Sequence, residues 1–200
     1  MTGEELAARL QAEGFDYLTT TQALEFINDA YLVDVCEAAD WPFLEATTSG
    51  TAPLTISDLR SVEYVLDTSQ ERKLYPLSRR NITDANYNLA ETGTPSCYYL
   101  TEGKTVNVYP ASTTDTISVR YYKTPAALST STSPLLPERF HSLIIDAAAA
   151  RAYENSDDYE LRQSKEASFQ TRLGRMQEAL MDVYRDGPFD FIQITDPTAY

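Results

Sequence analysis

Apolar residues recur at two different spacings along this chain, and the spacing changes twice. Thr2-Gly3-Glu4-Glu5 has a capping-box pattern, in which a hydroxyl and a carboxylate satisfy free N–H groups. It predicts a short helix that ends near Gly14. Thr19-Thr20-Thr21-Gln22 repeats the cap spacing. Leu24, Ile27, Tyr31 and Val35 then recur at three and four residues as one buried helical stripe. That helix should stop before Trp41-Pro42, because proline disfavours the helical conformation in the residue before it.

From Phe43 to Pro125, Thr, Val, Tyr and Ile dominate between closely spaced turn residues, which predicts strands. Ser61 to Leu66 reads as one strand and Lys73 to Leu77 as its hairpin partner, with Thr68-Ser69-Gln70-Glu71 between them. Ile82 to Ala90 reads as a short helix. Ser96 to Leu100, Thr105 to Tyr109 and Thr116 to Lys123 read as a three-stranded meander, turning at Glu102-Gly103 and at Ala111 to Asp115.

Helical spacing then returns. Ser129 to Ser133 is a short polar linker with nothing to bury. Pro137-Glu138 suits a helix start, and Phe140, Leu143, Ile144, Ala147 and Ala148 mark its buried face. The run Ala147 to Ala150 has little side-chain bulk and permits close approach of another helix. A last helix is expected from Asp157 to about Arg185. Its stripe is Phe169, Leu173, Met176, Leu180 and Val183, and Asp158 and Arg162 form an i,i+4 pair outside. Gly187-Pro188 ends it, and the two C-terminal helices are expected to pack antiparallel.

Composition narrows the class. The 200 residues suit one domain and contain 42% apolar residues, too many for a disordered chain. No stretch approaches the ~18 consecutive apolar residues of a membrane span. Glu4 and Glu5 in the first ten residues argue against a secretion signal. The net charge is −14, and residues 1–50 hold ten acids against one base. Free duplex DNA attracts proteins through lysine and arginine, so this chain is a poor DNA binder. Like charge would nevertheless let a polymer pass without sticking.

Candidate chemistry is sparse. Nothing matches a phosphate loop or a dinucleotide fingerprint. Cys36 and Cys97, the only cysteines, are expected to be reduced, and with the sole histidine, His141, they cannot complete a four-ligand zinc site. Glu138-x-x-His141 has the spacing of carboxylate di-iron sites, which need two such motifs; an exposed or locally bonded histidine is the expectation. Cys36 lies near a helical stripe, where buried thiols are usually inert. Asn155-Ser156-Asp157-Asp158 with Glu160 reads as a helix cap, since it lacks the glycine and length of a calcium loop. Asn81-Ile82-Thr83 is a glycosylation sequon, without meaning unless the chain is secreted. No catalytic residue, metal site or cofactor is expected.

Interaction features stand out more. Tyrosine outnumbers phenylalanine 14 to 7, and its apolar body and polar tip suit half-wet interfaces, although many tyrosines simply belong to strands. Pro188 to Thr195 alternates apolar and polar residues after the last helix, the period of a strand that could add to another sheet. A partner or neighbouring subunit is the favoured site for it, and folding back on its own domain is the alternative.

The order of short motifs is itself informative. Trp41-Pro42-Phe43-Leu44 follows an amphipathic helix. Then come Leu59 to Val65, Thr94-Pro95-Ser96-Cys97-Tyr98-Tyr99-Leu100, Val108-Tyr109-Pro110, Val119-Arg120-Tyr121-Tyr122 and Leu135-Leu136-Pro137-Glu138-Arg139-Phe140-His141. From about residue 20 to 185 this series resembles the head-to-tail adaptors of tailed bacteriophages, also called connector or head-completion proteins.

The resemblance implies an α+β, mainly helical fold: a helical bundle with a β-hairpin and meander insertion and an extended C-terminal tail. Its parts would be N-terminal helices in 1–40, a β-rich insertion in 43–125, a helical pair in 134–185 and the tail in 186–200, within one adaptor domain. It further implies a structural virion protein at the head–tail junction, made in the bacterial host cytoplasm. A dodecameric ring of copies would dock under the portal protein, close the packaged capsid and carry tail or nozzle proteins. Genome DNA would cross its lumen without specific binding, and no membrane is involved. Phe189, Phe191, Ile192, Ile194 and Tyr200 become candidates for the portal or subunit interface. Two other readings are a small cytoplasmic interaction module and a hydrolase using paired carboxylates.

Overall fold

Both capping boxes form. In the computed structural model, which describes residues 1–78, 91–112, 114–155 and 158–185, Thr2 and Glu5 cap helix α1 (Gly3–Ala12). Thr19 and Gln22 cap α2 (Thr20–Asp29) in the same way. Helix α1 stops where Gly14 takes φ +108°, a conformation that costs glycine nothing. Helix α2 runs on into a π-helical turn, Ala30–Val35. The wider turn keeps Tyr31, Val35 and Cys36 all in the core.

The chain returns to the helical body with α3 (His141–Asn155) and α4 (Tyr159–Arg185). These run antiparallel, since Glu154 meets Arg162 and Asp146 meets Arg172. Helix α3 is central and touches α1, α2, the π turn and α4. Ala147, Ala148 and Ala149 are buried on it, so small side chains are what let four elements crowd one helix.

Seven strands make one sheet: β1 (Glu45–Thr51), β2 (Leu54–Thr55), β3 (Leu59–Asp67), β4 (Arg72–Pro76), β5 (Cys97–Thr101), β6 (Thr105–Tyr109) and β7 (Thr116–Lys123). Their spatial order is β1-β7-β3-β4-β5-β6-β2. The outermost strands, β1 and β2, are separated in sequence only by Ala52-Pro53, so the sheet curls until its edges approach and a barrel nearly closes. Every second residue of β7, Ile117, Val119 and Tyr121, points inward with Val65, Leu74, Tyr98, Val106 and Val108. On the outer face Arg120 of β7 ion-pairs with Glu45 on β1 and Glu63 on β3, its two neighbouring strands.

This architecture corrects the expected helical bundle with a β insertion. Residues 56–121 bury a set of side chains sufficient for a core of their own, so the sheet is a second body beside the four helices. The expected hairpin forms, with Val65 opposite Leu74. The expected meander does not: β5 and β6 pair, but β7 crosses to lie between β1 and β3. Strand β1 (Glu45-Ala46-Thr47-Thr48-Ser49-Gly50-Thr51) is built from small polar residues and carries no alternating apolar signal, yet its pairing claims one side of β7. The helix expected at Ile82 to Ala90 lies outside the described residues. Arg162 pairs with Glu154 at 3.2 Å rather than with Asp158, which instead caps α4 by accepting from the Leu161 N–H.

Arg60 and Tyr122 join the two bodies, and Trp41 anchors the connecting segment in the helical core. The Arg60 guanidinium on β3 donates to the carbonyls of Cys36 and Ala39 and pairs with Asp40. Trp41 is fully buried, donates to the Val35 carbonyl at 2.6 Å and stacks on Phe43. Tyr122 packs against the helical core from the outer face of β7. The returning strap is clamped by Asn28, whose amide bonds both the N–H and the carbonyl of Leu128.

Candidate functional site

Side chains capable of chemistry are mostly tied into structure. His141 is 3% exposed. Its Nε2 lies 3.0 Å from the Leu136 carbonyl and its Nδ1 3.1 Å from the Met1 nitrogen. Burial pushes its pKa below the ordinary histidine value. It is locally bonded, as one of the two expected states requires, but it is not exposed. Glu138, three residues earlier, is exposed and faces Met1 instead. Among the described residues no group of three or more His, Cys, Asp or Glu could hold a metal ion.

Cys36 is buried, and desolvation raises its pKa to about 12. A thiol held protonated is a poor nucleophile, so its role is packing. Cys97 is half-buried, and neither cysteine is in a disulfide. Tyr31, beside Cys36, is also raised to about 12 by burial, and its hydroxyl accepts from the Leu135 N–H.

One polar cavity of about 500 Å³ opens between α1, α3 and α4. Asp146, 5% exposed, accepts from the Ser168 hydroxyl at 2.9 Å and pairs with Arg172 at 3.1 Å and more distantly with Lys165. Lys165 also reaches Glu13 at 2.5 Å. Buried charges must be paired and hydrogen-bonded, and this network meets that need while tying three helices together. Glu13 and Asp146 are each engaged by a cation, an arrangement of structure rather than of an acid–base pair. Opposite, Arg151 grips Asp34 of the π turn with two bonds of 2.6 and 2.8 Å.

The polar loop Ser129–Ser133 is exposed, as expected, but it is not idle. The Thr132 and Thr130 carbonyls accept from the Gly3 and Glu4 N–H groups at 2.8 and 3.0 Å, satisfying free donors at the start of α1. A Cβ on Gly3 would sit 2.3 Å from the Ser129 carbonyl oxygen, so only glycine fits there. Nothing in the sequence pattern pairs these two segments.

The tyrosines divide. Tyr31, Tyr98 and Tyr121 are buried, whereas Tyr17 in the α1–α2 turn, Tyr75 on β4 and Tyr159 on α4 are exposed. Phe189, Phe191, Ile192, Ile194 and Tyr200 lie outside the described residues. Among those described, no helix is long and apolar enough to cross a membrane.

The fold is two joined bodies, with Asp34 and Asp146 held in internal ion pairs. The SU10 adaptor protein family matches residues 1–189, and the chain belongs to that family of phage head–tail adaptors. It is a phage structural adaptor protein, a virion component whose family is not a known enzyme family. No curated protein matches the chain.

Proposed function

We propose that this adaptor acts at the neck of the virion as one subunit of a dodecameric ring. The ring docks under the portal protein, closes the packaged capsid and offers its other face to tail or nozzle proteins. The observation that carries this reading is the family match over residues 1–189. The join supports it: Arg60 and Tyr122 link helices to sheet through bonds and packing rather than through a loose linker, as a part that transmits load between two partners requires. The net charge of −14 suits a lumen that DNA crosses without sticking. Phe189, Phe191, Ile192, Ile194 and Tyr200 are the residues we assign to the portal or to a neighbouring copy, by strand addition or by apolar docking.

Deletion of residues 187–200 tests the tail assignment. The truncated chain should melt as the full chain does and fail to join portal-bearing particles. Recruitment at the normal level would remove the tail from the interface. Native mass spectrometry of the neck recovered from particles tests the ring itself, where a closed ring of identical copies bound to a second ring-forming protein is expected. A monomer found only apart from particles would overturn the reading.

A further inference from the structure

The cations of the helical body are distributed unevenly. Lys165, Arg172, Arg151 and Arg162 are all consumed by ion pairs within the chain. Arg9, Arg139 and Arg175 hold no ion pair among the described residues, and all three are exposed. They are gathered on one flank. Arg9 lines the cavity of about 500 Å³, while Arg139 and Arg175 line one of about 220 Å³ beside it, and the two cavities share Ser142 and Arg172. In a chain of net charge −14, three guanidinium groups with no ion pair among the described residues, that of Arg139 lying over the Phe140 ring, surround adjoining hollows and form a surface that selects carboxylates.

The other flank of the α3–α4 pair has the opposite sign. A third cavity, of about 270 Å³, lies there between the π turn, α3 and α4 and is lined by Asp34, Arg151, Glu154, Arg162 and Glu166. Asp34 and Glu154 are taken by Arg151 and Arg162. Glu166 is exposed and has no cation among the described residues. Asp29 is likewise exposed and unpaired, close enough to Arg151 to raise its pKa, and Glu25 precedes it by one turn of α2. Residues 165, 172 and 175 of α4 face the first flank and residues 162, 166 and 170 the second, so the two surfaces point away from one another.

We infer that these flanks are the two halves of one contact between copies of this chain: Arg9, Arg139 and Arg175 of one copy receive Glu25, Asp29 and Glu166 of the next. Like surfaces cannot satisfy each other here, so the contact is head-to-tail, and repeated rotation closes a ring. The inference rests on the ring reading above and supplies its lateral interface. Phosphate would also suit the arginines, but only a second copy also accounts for the acids on the opposite flank.

Two charge-reversed full-length chains test it, R139E/R175E and D29R/E166R. Circular dichroism should show both folded, since these side chains make no ion pair in the described structure. The wild type should assemble in low salt and dissociate as salt rises. Each variant alone should associate at least about tenfold more weakly, because both of its flanks then carry one sign. An equimolar mixture should recover assembly in alternating order, since the two altered flanks complement each other and the two unaltered flanks form the native contact.

Failure of the mixture to assemble would overturn the pairing. So would a wild type that stays monomeric at ~100 μM in low salt, or arginine-dependent binding of duplex DNA by that monomer. Oligomers unchanged in both variants would also overturn it while leaving the ring standing on another surface. Loss of the ring from isolated necks would instead remove the functional reading itself.

Discussion

The two bodies of this adaptor reach their cores by different routes. The sheet draws its buried residues from one continuous stretch, Ile56 to Tyr121. The helical body draws its own from Leu6 to Leu44 and again from Leu128 to Met176, so its core cannot close until the whole sheet segment has been passed. Local closure makes the sheet self-sufficient. Deferred closure makes the helices depend on how the chain leaves and re-enters them, which is where Arg60, Trp41 and Asn28 act. The lesson is that a segment inserted in sequence need not be an appendage in space.

The strongest way to break this comparison is to hollow out the sheet. Ile117 is fully buried in β7, and Ile117→Ala should cost about 2–5 kcal/mol through lost transfer energy and the cavity left behind. Trp41, the single tryptophan, is buried in the helical core just before the segment that leads into β1. Its fluorescence and the helical dichroism should therefore shift with the sheet in one urea transition. If helical dichroism kept its original midpoint, the two bodies would be thermodynamically independent.

Removing the join comes next. The Arg60 side chain, 21% exposed, makes charge-assisted bonds to two carbonyls that end the helical segment. Arg60→Ala should cost about 1.5–3 kcal/mol. More tellingly, it should broaden or split the transition that Ile117→Ala only shifts, because the carbonyls of Cys36 and Ala39 lose their link to β3. A sharp single transition with unchanged slope would place the coupling in Tyr122 packing alone.

Helix packing can be tested separately. Ala148 is fully buried where α3 is crowded by its neighbours, and Ala148→Leu should destabilise by about 1–3 kcal/mol from overpacking. A loss below ~0.5 kcal/mol, the range of surface changes, would show that this face has room.

The same contrast explains what could be read in advance. Helical elements were legible because their signals are local: the cap residues Thr2, Glu5, Thr19 and Gln22, the stripe through Ile27, Tyr31 and Val35, the alanine run. The β3–β4 hairpin was legible for the same reason. The position of β7 was not, because it depends on β1, whose Thr-Thr-Ser-Gly-Thr sequence has no alternating pattern and acquires its place only by pairing. The barrel-like closure follows from that hidden strand. Asp146 and Lys165 escaped notice because single charged residues within helices look like surface until their partners, 19 or more residues away, are known. Arg9, Arg139 and Arg175, without an ion pair among the described residues, were invisible for the converse reason: only the structure tells which charges are already spent.

The smallest expected effect is a pH dependence, and it belongs to the helical body. His141 is held neutral by burial, with its Nε2 on the Leu136 carbonyl and its pKa below the ordinary value near 6.5. The unfolded chain therefore takes up a proton at a higher pH than the folded one. Stability from this residue is complete above pH ~6.5, falls as pH drops toward the folded pKa, and levels off below it. One group limits the slope to about 1.4 kcal/mol per pH unit. His141→Gln keeps an amide that can donate to Leu136 but does not titrate, so it should flatten the fall of urea stability between pH 6.5 and 5 relative to wild type. Sheet carboxylates such as Glu45 and Glu63 are ion-paired to Arg120, so any slope they add is shared by wild type and variant and cancels in the difference. An unchanged difference across that range would mean that the histidine is as free to protonate in the fold as out of it, and the wedge between Leu136 and Met1 would then have to be looser than its 3.0 and 3.1 Å contacts require.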